Sequence, residues 1–139
     1  MALNMTVAER EAFLADLHVG VISFNDPGAG PLTAPIWYDY SPDSGVWVII
    51  GPESRKGRLA TVGSRISLVA QTETSPYRYV SVEGPIRAIE PTTDEALEAM
   101  AVRYLGPEMG KAYAENGAGG SVTLHLDIER WLTVDYAKR

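Results

Sequence analysis

Short apolar segments bounded by turn-forming residues are the feature that most limits the fold of this chain. The segment Val46–Ile50 contains no polar residue, and it lies between the turn-like sequence Ser41–Gly45 and the dipeptide Gly51-Pro52. A run of this kind is typical of a strand that is buried on both faces. A connection as short as Ser41–Gly45 joins antiparallel neighbours, so the sequence predicts a β-hairpin here.

The same pattern predicts further strands along the chain. Each is a short apolar or alternating run bounded by Gly, Pro, Asn, Asp or Ser. The predicted strands are Val19–Phe24, Leu32–Tyr40, Val46–Ile50, Arg65–Glu73, Tyr77–Glu90 and Val122–Tyr136. The fifth should bend at Gly84-Pro85, because proline cannot continue a central ladder. The last is either one long strand kinked near Arg130 or a pair of strands.

Helices are predicted before and between these strands. The capping box Thr6–Glu9 begins a helix of about 11 residues. Its apolar residues recur at helical spacing, at Val7, Phe13, Leu14 and Leu17. Further helices cover Glu53–Val62, run from Pro91–Asp94 to about Leu105, and run from Gly106-Pro107 to about Glu115. We therefore expect one domain, residues 1–139, that is mainly β with flanking helices and forms an antiparallel barrel of six to seven strands.

Apolar residues on both faces of a strand predict a second copy of the chain. A small barrel buries only one face of each strand in its own interior. The other face of Val46–Ile50 then needs an external partner, and a two-fold dimer is the most common way to supply one. The sequence therefore predicts a homodimer.

The composition excludes several classes of function. The chain has 12 Lys+Arg against 18 Asp+Glu, a formal net charge of −6, whereas proteins that coat nucleic acid or anionic membranes carry a surplus of cations. It has no Cys, and His18 and His125 are its two imidazoles, so we expect no metal centre. The N-terminal residues do not resemble a signal peptide and no segment is apolar enough to cross a membrane, so a cytoplasmic protein is expected.

Cations are concentrated in one segment despite the acidic balance. Four of the 12 fall within eleven residues: Arg55, Lys56, Arg58 and Arg65. The free amides of a helix that begins after Ser54, its hydroxyl and the adjacent cations together suit a phosphate group. Glu53 argues against this interpretation, because its carboxylate would repel an anion unless it points away. A solvated helix face with ordinary charges explains the cluster equally well, so the residues leave both interpretations open.

The order of these segments resembles the flavin-binding split barrel of the pyridoxamine 5'-phosphate oxidase-like superfamily. The resemblance covers residues 19–90, and the segment Trp131–Tyr136 is similar to the last strand of that family. The segments that carry it are Val19–Phe24, Ala34–Tyr38, an apolar strand that ends at Gly51, Ser54–Arg58, Arg65–Val69 and Tyr79–Gly84. The resemblance implies a split-barrel homodimer with two cofactor sites in the subunit interface.

The resemblance also assigns cofactor-binding residues. Ser54, Arg55 and Lys56 match the family segment that grips the cofactor phosphate, and Arg58 lies beside them. Two strand segments match those that flank the ring system, largely through backbone groups: Pro35, Ile36 and Trp37 in the first, and Val48, Ile49 and Ile50 in the second. Tyr77 and Tyr79 would lie near the cofactor of the other subunit.

The function that the resemblance implies is hydride transfer between a bound F420 or FMN cofactor and an unsaturated small molecule. F420 is preferred, because short family members and Arg-rich sequences are common in actinobacteria and because Arg58 and Arg65 would suit its longer anionic tail. Vitamin B6 oxidation is not expected, since His125 has no Arg beside it. Two alternatives remain: a protein that carries its cofactor without turnover, and a haem- or tetrapyrrole-handling relative.

No residue pattern identifies a catalytic side chain. The chain has no evident Ser–His–Asp set, carboxylate pair or metal-ligand spacing, as expected where a cofactor carries the chemistry. His125 alternates with Leu124 and Leu126 and is expected to face outward or an interface. His18 is expected to close the first helix as a cation that complements the helix dipole. Trp37, Trp47 and Trp131 could stack on a ring system, although large aromatic residues more often pack in a core or a dimer interface. Trp37 is favoured for a functional role, because its neighbour Pro35 matches the cofactor strand.

Overall fold

The computed structural model describes residues 2–139, and within them eight strands curl into one antiparallel sheet flanked by four α-helices. The strands are β1 (Gly20–Phe24), β2 (Leu32–Ile36), β3 (Tyr38–Ser41), β4 (Gly45–Ile50), β5 (Arg65–Gln71), β6 (Arg78–Pro91), β7 (Val122–Leu126) and β8 (Arg130–Asp135). The helices are α1 (Val7–Ala15), α2 (Arg55–Leu59), α3 (Asp94–Leu105) and α4 (Pro107–Ala114). The predicted fold class, a mainly β split barrel with flanking helices, is confirmed.

Strand β6 connects the two halves of the sheet. The strand order is β2-β1-β5-β6-β7-β4-β3, with β8 also paired to β6. The first part of β6, up to Pro85, pairs with β5 and β8, whereas the part from Ile86 onward pairs with β7. A register shift between Ile86 and Ala88 accompanies the change of partner. Because one strand belongs to both halves, the sheet curls at this point instead of continuing flat.

At Gly84-Pro85, where the sequence predicts a bend, β6 continues and Pro85 still pairs with Arg65; the register shift lies further along, between Ile86 and Ala88. Close packing explains the glycine. A Cβ atom on Gly84 would overlap the carbonyl oxygen of Asp127 in the β7–β8 connection. That connection is held by two backbone hydrogen bonds, from Asp127 N–H to the Pro85 carbonyl (3.1 Å) and from Glu129 N–H to the Glu83 carbonyl (2.8 Å). Only a residue without a side chain lets the two backbones approach so closely.

Every second side chain along the strands points inward, and these side chains fill the inside of the curled sheet. In β5, Ile66, Leu68 and Ala70 are buried, and the residues between them point to the other face, as the sequence predicts. The same alternation buries Val46, Val48 and Ile50 of β4. Helix α1 closes one side of this core with Phe13 and Leu14, whereas Val7 and Leu17, which share its helical spacing, are exposed.

One predicted strand is wrong in its extent. Leu32–Tyr40 forms two strands, β2 and β3, separated at Trp37, and this break makes eight strands in residues 2–139 where six to seven were expected. The two parts pair with different neighbours, β2 with β1 and β3 with β4. At the break the N–H of Tyr38 donates to the side-chain hydroxyl of Tyr104 in α3 (3.0 Å) instead of to a neighbouring strand. Local sequence carries no signal for this long-range hydrogen bond.

Two other predicted elements are shorter than expected. Helix α1 has 9 residues and begins with the predicted capping box of Thr6 and Glu9. The predicted helix Glu53–Val62 is reduced to the 5 residues of α2. Its C-terminal part unwinds because Gly63 N–H donates to the carbonyl of Ile86 (2.9 Å), which returns the chain to the sheet. The last predicted segment, Val122–Tyr136, is a pair of strands, one of the two possibilities.

The outer face of β4 is covered in part by the chain itself. Ile49, on this face, lies against Leu97 of α3 and Tyr113 of α4. The second face of Val46–Ile50 is therefore partly buried within this chain and leaves less apolar surface for a partner copy than its sequence indicates. In residues 2–139 none of the helices has the length and apolar character that crossing a bilayer requires.

We predict that Gly84→Ala lowers the free energy of unfolding by about 3 kcal/mol, because its methyl group meets rigid backbone. Gly30→Ala is the matched control, since Gly30 has no atom within 4 Å of its virtual Cβ and does not have a positive φ. The control should change stability by less than about 0.5 kcal/mol. Urea denaturation of both variants measures the difference, and equal stabilities would contradict the close approach at Gly84.

Candidate functional site

The break between β2 and β3 places Trp37 against two tyrosines of the helical layer. Its indole ring stacks on Tyr104 of α3 with 4.9 Å between ring centroids and an interplanar angle of 3°. Tyr113 of α4 approaches the same indole at 5.8 Å and 49°. The three rings form an aromatic wall where the chain leaves one half of the sheet for the other.

The hydroxyl of Tyr104 holds α3 against this break. It accepts a hydrogen bond from the N–H of Tyr38 at 3.0 Å. It lies 2.6 Å from the carbonyl oxygen of His18 and 2.9 Å from that of Tyr38, and it can donate to either. Arg103 adds two contacts to the same region, donating to the carbonyls of Tyr38 (3.0 Å) and Asp16 (2.9 Å). Backbone groups that have no strand partner are thus satisfied by one turn of α3.

A groove runs from this aromatic wall along the outer face of β4, and we call it the α3–β4 groove. Its inner part has a volume of about 200 Å³ and is lined by Trp37, Ile49, Leu97, Met100, Ala101 and Tyr113. Its outer part has a volume of about 350 Å³, shares Ile49, Leu97 and Tyr113 with the inner part, and reaches Ile50, Gly51 and the Asn116–Ser121 loop. The inner part is apolar and aromatic and contains no charged side chain, which suits a flat ring system.

The segment that follows β4 in the chain, from Gly51 to Gly57, is a compact turn. The hydroxyl of Ser54 donates to the carbonyl of Gly51 (2.6 Å) and accepts from the N–H of Gly57 (3.1 Å), so it caps α2 as the sequence predicts. A Cβ atom on Gly57 would overlap the backbone of Gly51 and Pro52. These contacts fold Arg55–Leu59 back onto Gly51, at the outer end of the α3–β4 groove.

The four clustered cations differ in how they are compensated. Arg55 pairs with Asp26 at 2.5 Å, and Arg65 pairs with Glu129 at 2.6 Å and with Glu83 at 3.5 Å. The hydrogen bond that Arg65 donates to Glu129 is the main reason why the pKa of Arg65 lies above its usual value. Both guanidinium groups are therefore already engaged by carboxylates.

Lys56 and Arg58 are the cations of this cluster that have no carboxylate partner within residues 2–139. Arg58 donates to the backbone carbonyl of Glu53 at 2.7 Å, which leaves its charge uncompensated. Lys56 is half-buried, and its ammonium group makes no hydrogen bond or ion pair with the described residues. The two charges lie in the same short helix, next to the outer end of the groove.

The residues that the sequence assigns to a cofactor fall into two groups. Trp37, Ile49 and Ile50 line the α3–β4 groove, and Ser54–Arg58 lies at its outer end. The others lie elsewhere in this chain: Pro35 is exposed on the edge strand β2, Ile36 packs against the core, Tyr77 is exposed and Tyr79 points to the outer face of β6. Their assignment as cofactor contacts stays a prediction.

Sequence reasoning did not identify the side of the groove formed by α3 and α4. Leu97, Ala101 and Tyr104 recur at positions i, i+4 and i+7, which places them on one helix face. This periodicity is the sequence signal that could have identified the α3 side of the groove. The acidic residues at the start of the helix are its more prominent feature, and they do not point to a binding surface. Tyr113, on a different predicted helix, carries no local signal that would bring it to Trp37.

The two histidines lie outside the groove. His125 faces away from the barrel interior, as expected, and its Nε2 lies 2.7 Å from Glu90 Oε1, while its Nδ1 is buried without a partner in residues 2–139. The prediction for His18 is wrong. Helix α1 ends at Ala15, and the His18 ring stacks on Phe13 at 4.5 Å. Burial lowers the pKa of His18, so its ring is not a cation that complements the helix dipole.

Comparison with known proteins establishes the family. The family model described as pyridoxamine 5'-phosphate oxidase matches residues 6–135, so the chain belongs to this family. No curated protein matches the chain.

Solved structures share the fold at low sequence identity. A conserved hypothetical protein from Mycobacterium tuberculosis is 23% identical, with a TM-score of 0.78 over 99% of this chain and 90% of that one. A structure described as F420 Reductase is 18% identical, with a TM-score of 0.73 over 88% of this chain and 94% of that one. A FAD and heme binding protein from Mycobacterium smegmatis is 17% identical, with a TM-score of 0.69 over 96% of this chain and 73% of that one.

We predict that the His18 imidazole titrates below 6.5, the ordinary value, because burial disfavours its charged form. The unfolded chain then binds the proton more readily than the folded chain, so stability is lost as the pH falls from about 6.5 through the folded pKa. Chemical-shift titration of the ring protons measures the pKa. His18→Phe, which keeps a ring and cannot titrate, should remove this part of the pH dependence. A measured pKa above 6.5 would restore the helix-dipole interpretation.

Proposed function

We propose that this protein is an oxidoreductase that binds a flavin-type cofactor, F420 or FMN, in the α3–β4 groove and transfers a hydride between that cofactor and an unsaturated small molecule. The observation that carries the proposal is the continuity of the groove. The apolar, aromatic inner part joins an outer part that is lined by Gly51, and the turn that packs on Gly51 carries Lys56 and Arg58, two cations without carboxylate partners in residues 2–139. Flavin-type cofactors combine a planar ring system with a phosphate-bearing tail, which is the same combination.

The chain fits the anionic end of such a cofactor through Lys56 and Arg58. Ammonium and guanidinium groups form short, charge-assisted hydrogen bonds to phosphate oxygens. Lys56 is half-buried and lacks a partner, so a bound phosphate would compensate a charge that the protein itself leaves unpaired. Ser54 contributes by shaping the turn, because its hydroxyl proton is already donated to Gly51. Arg55 is paired with Asp26 and would have to exchange that carboxylate for the phosphate.

The inner groove fits the ring end. The side chains of Ile49 and Leu97 and the rings of Trp37 and Tyr113 offer flat apolar surface, against which an aromatic ring packs favourably. When bound, the cofactor supplies the hydride, and the chain supplies orientation and a water-poor surface. Within the groove no side chain of the lining is an acid or base near neutrality, so the chain's own role is positioning.

F420 remains the preferred cofactor, although one of the two cations that favoured it is already paired. A structure described as F420 Reductase shares the fold, and two of the similar structures come from mycobacteria. Of the two cations expected to suit the longer anionic tail of F420, Arg58 is available, whereas Arg65 is paired with Glu129 and Glu83. The alternative of a haem-handling protein is not favoured, because neither His18 nor His125 lines the groove. Turnover of reduced cofactor against quinones and conjugated ketones distinguishes an enzyme from a cofactor carrier.

We further propose that the protein acts as a homodimer, through the outer face of the half-sheet formed by β1, β5, β6 and β8. Val21, Val69, Ser81 and Leu132 form one row across these four strands. Leu132 is 59% exposed at the end of the row, and Tyr79 lies on the same face one row away. A second copy on this face would cover apolar surface and bring Tyr79 into the interface, which is where the family resemblance assigns it.

Replacing Lys56 and Arg58 by Ala should weaken cofactor binding. Each lost charged hydrogen bond corresponds to about 1.5–3 kcal/mol, or roughly 10- to 150-fold in the dissociation constant. Fluorescence titration with F420 and with FMN measures the effect, and Arg139→Ala, an exposed cation outside both the groove and the strands of the proposed dimer face, is the control. Unchanged affinity in the double variant would show that the phosphate is bound elsewhere, and wild-type affinities weaker than micromolar for both cofactors would refute the proposed function.

The dimer is tested by Leu132→Arg. A guanidinium group buried against apolar surface of the second copy carries an uncompensated desolvation penalty, so the variant should sediment as a monomer in analytical ultracentrifugation. It should also lose cofactor affinity if the site includes the second subunit. Val62→Arg is the control, because Val62 is equally exposed, at 63%, and lies outside this face. A wild-type protein that sediments as a monomer would rule out the dimer.

A further inference from the structure

A second pocket lies at the opposite end of the β3–β4 hairpin from the α3–β4 groove. Trp37 and Gly51 flank one end of the hairpin, and the Ser41–Gly45 turn forms the other end. The six residues of β4, at about 3.3 Å each, place roughly 17–20 Å between the two ends. The pocket at the turn, which we call the hairpin-end pocket, is an open depression of about 710 Å³ bordered by α1, this turn and the 127–131 segment. It shares no residue with the groove.

One wall of the hairpin-end pocket presents two hydrogen-bond donors that have no partner in residues 2–139. Tyr40 is only 6% exposed, yet it lines the pocket and its hydroxyl makes no hydrogen bond with the described residues. The guanidinium of Arg10 lies over the Trp131 ring at 4.4 Å, and its Nε is buried without a partner. The Trp131 ring in turn meets Tyr40 edge-on at 5.9 Å. The two donors are therefore held in place by aromatic packing.

The Tyr40 hydroxyl is a donor at neutral pH. Burial, and then the nearby carboxylate of Glu11, raise the pKa of Tyr40 above its usual value. The side chain of Tyr40 is buried but its hydroxyl oxygen is accessible at the pocket wall, so an acceptor in the pocket can reach it and form a hydrogen bond. The wall formed by Tyr40 and Arg10 is thus suited to an oxygen acceptor, and best to a carboxylate.

The other charged side chains of the hairpin-end pocket leave an excess of negative charge, opposite to the positive charge of Arg10. Asp127 is paired with Arg87 at 3.0 Å, and Glu129 is paired with Arg65 at 2.6 Å. Glu11 and Asp43 also line the pocket, and neither has a cation partner within residues 2–139. A ligand with only a carboxylate would be repelled by these side chains, and a ligand with only an ammonium group would leave the Tyr40 and Arg10 donors unsatisfied.

We propose that the hairpin-end pocket binds a small zwitterion with an apolar body, such as an amino acid with an aliphatic side chain. Its carboxylate accepts hydrogen bonds from the Tyr40 hydroxyl and from the terminal N–H groups of the Arg10 guanidinium, since Nε itself is buried. Its ammonium group lies toward Glu11 and Asp43, and its side chain packs on Ile128 and Trp131. This site is separate from the cofactor groove, so it stands or falls independently of the proposed oxidoreductase.

Three matched probes test the charge requirement: L-leucine, N-acetyl-L-leucine, which lacks the ammonium group, and L-leucinamide, which lacks the carboxylate. Isothermal titration of the purified full-length protein, with no cofactor added, measures each affinity. Saturable binding is expected for L-leucine alone. Binding of L-leucine no tighter than about 10 mM, roughly −3 kcal/mol, would overturn the proposal, as would equal binding of either single-charge probe.

Variants locate the site. Tyr40→Phe removes one hydroxyl and should weaken L-leucine binding by about tenfold or more, since that hydroxyl bonds a charged group. Asp43→Asn, in an exposed turn where folding is not at risk, should weaken it roughly two- to fivefold, as for an exposed ion pair. Tyr136→Phe, an exposed tyrosine outside the pocket, is the matched control and should bind normally. Circular dichroism verifies folding, and if Tyr40→Phe does not fold, Asp43→Asn decides. Unchanged affinity in the folded variants would overturn the assignment.

Discussion

The pairing of β6 with three other strands is the constraint on which the rest of the structure depends. Its first part joins β5 and β8, its second part joins β7, and the change of partner occurs at Gly84-Pro85, where Asp127 packs directly on the Gly84 backbone. Through β5 it holds β1 and β2, and through β7 it holds β4 and β3. The α3–β4 groove and the hairpin-end pocket both border the β3–β4 hairpin, so their positions follow from this one strand.

The second constraint is that the backbone hydrogen-bonding groups at the β2–β3 break need partners outside the sheet. Where the chain leaves one half of the sheet for the other, the N–H of Tyr38 has no strand partner, and the hydroxyl of Tyr104 supplies one. This hydrogen bond fixes α3 over β4 and stacks Tyr104 on Trp37. The aromatic wall of the groove is therefore a consequence of completing the backbone hydrogen bonds at a strand break. A family that binds planar cofactors can use such a surface without any dedicated catalytic side chain.

Predictions from the sequence succeed where the signal is local. The capping box of Thr6 and Glu9, the buried face of β5 and the Ser54 cap each depend on residues within a few positions of one another. The division of Leu32–Tyr40 into two strands depends on Tyr104, which lies 66 residues from Tyr38. The same limit applies to His18, whose neutral state follows from stacking and burial and not from its place after a helix.

The sequence alone determined that this acidic chain forms a small antiparallel barrel and carries a third of its cations between Arg55 and Arg65. It could not determine which of these cations are available to a ligand, because that depends on carboxylates distant in the chain. Asp26 engages Arg55, and Glu129 and Glu83 engage Arg65, so the tertiary structure leaves Lys56 and Arg58 beside the groove. Charge clustering is a property of sequence, whereas charge compensation requires side chains to meet across the fold, within the few ångströms over which ion pairs act.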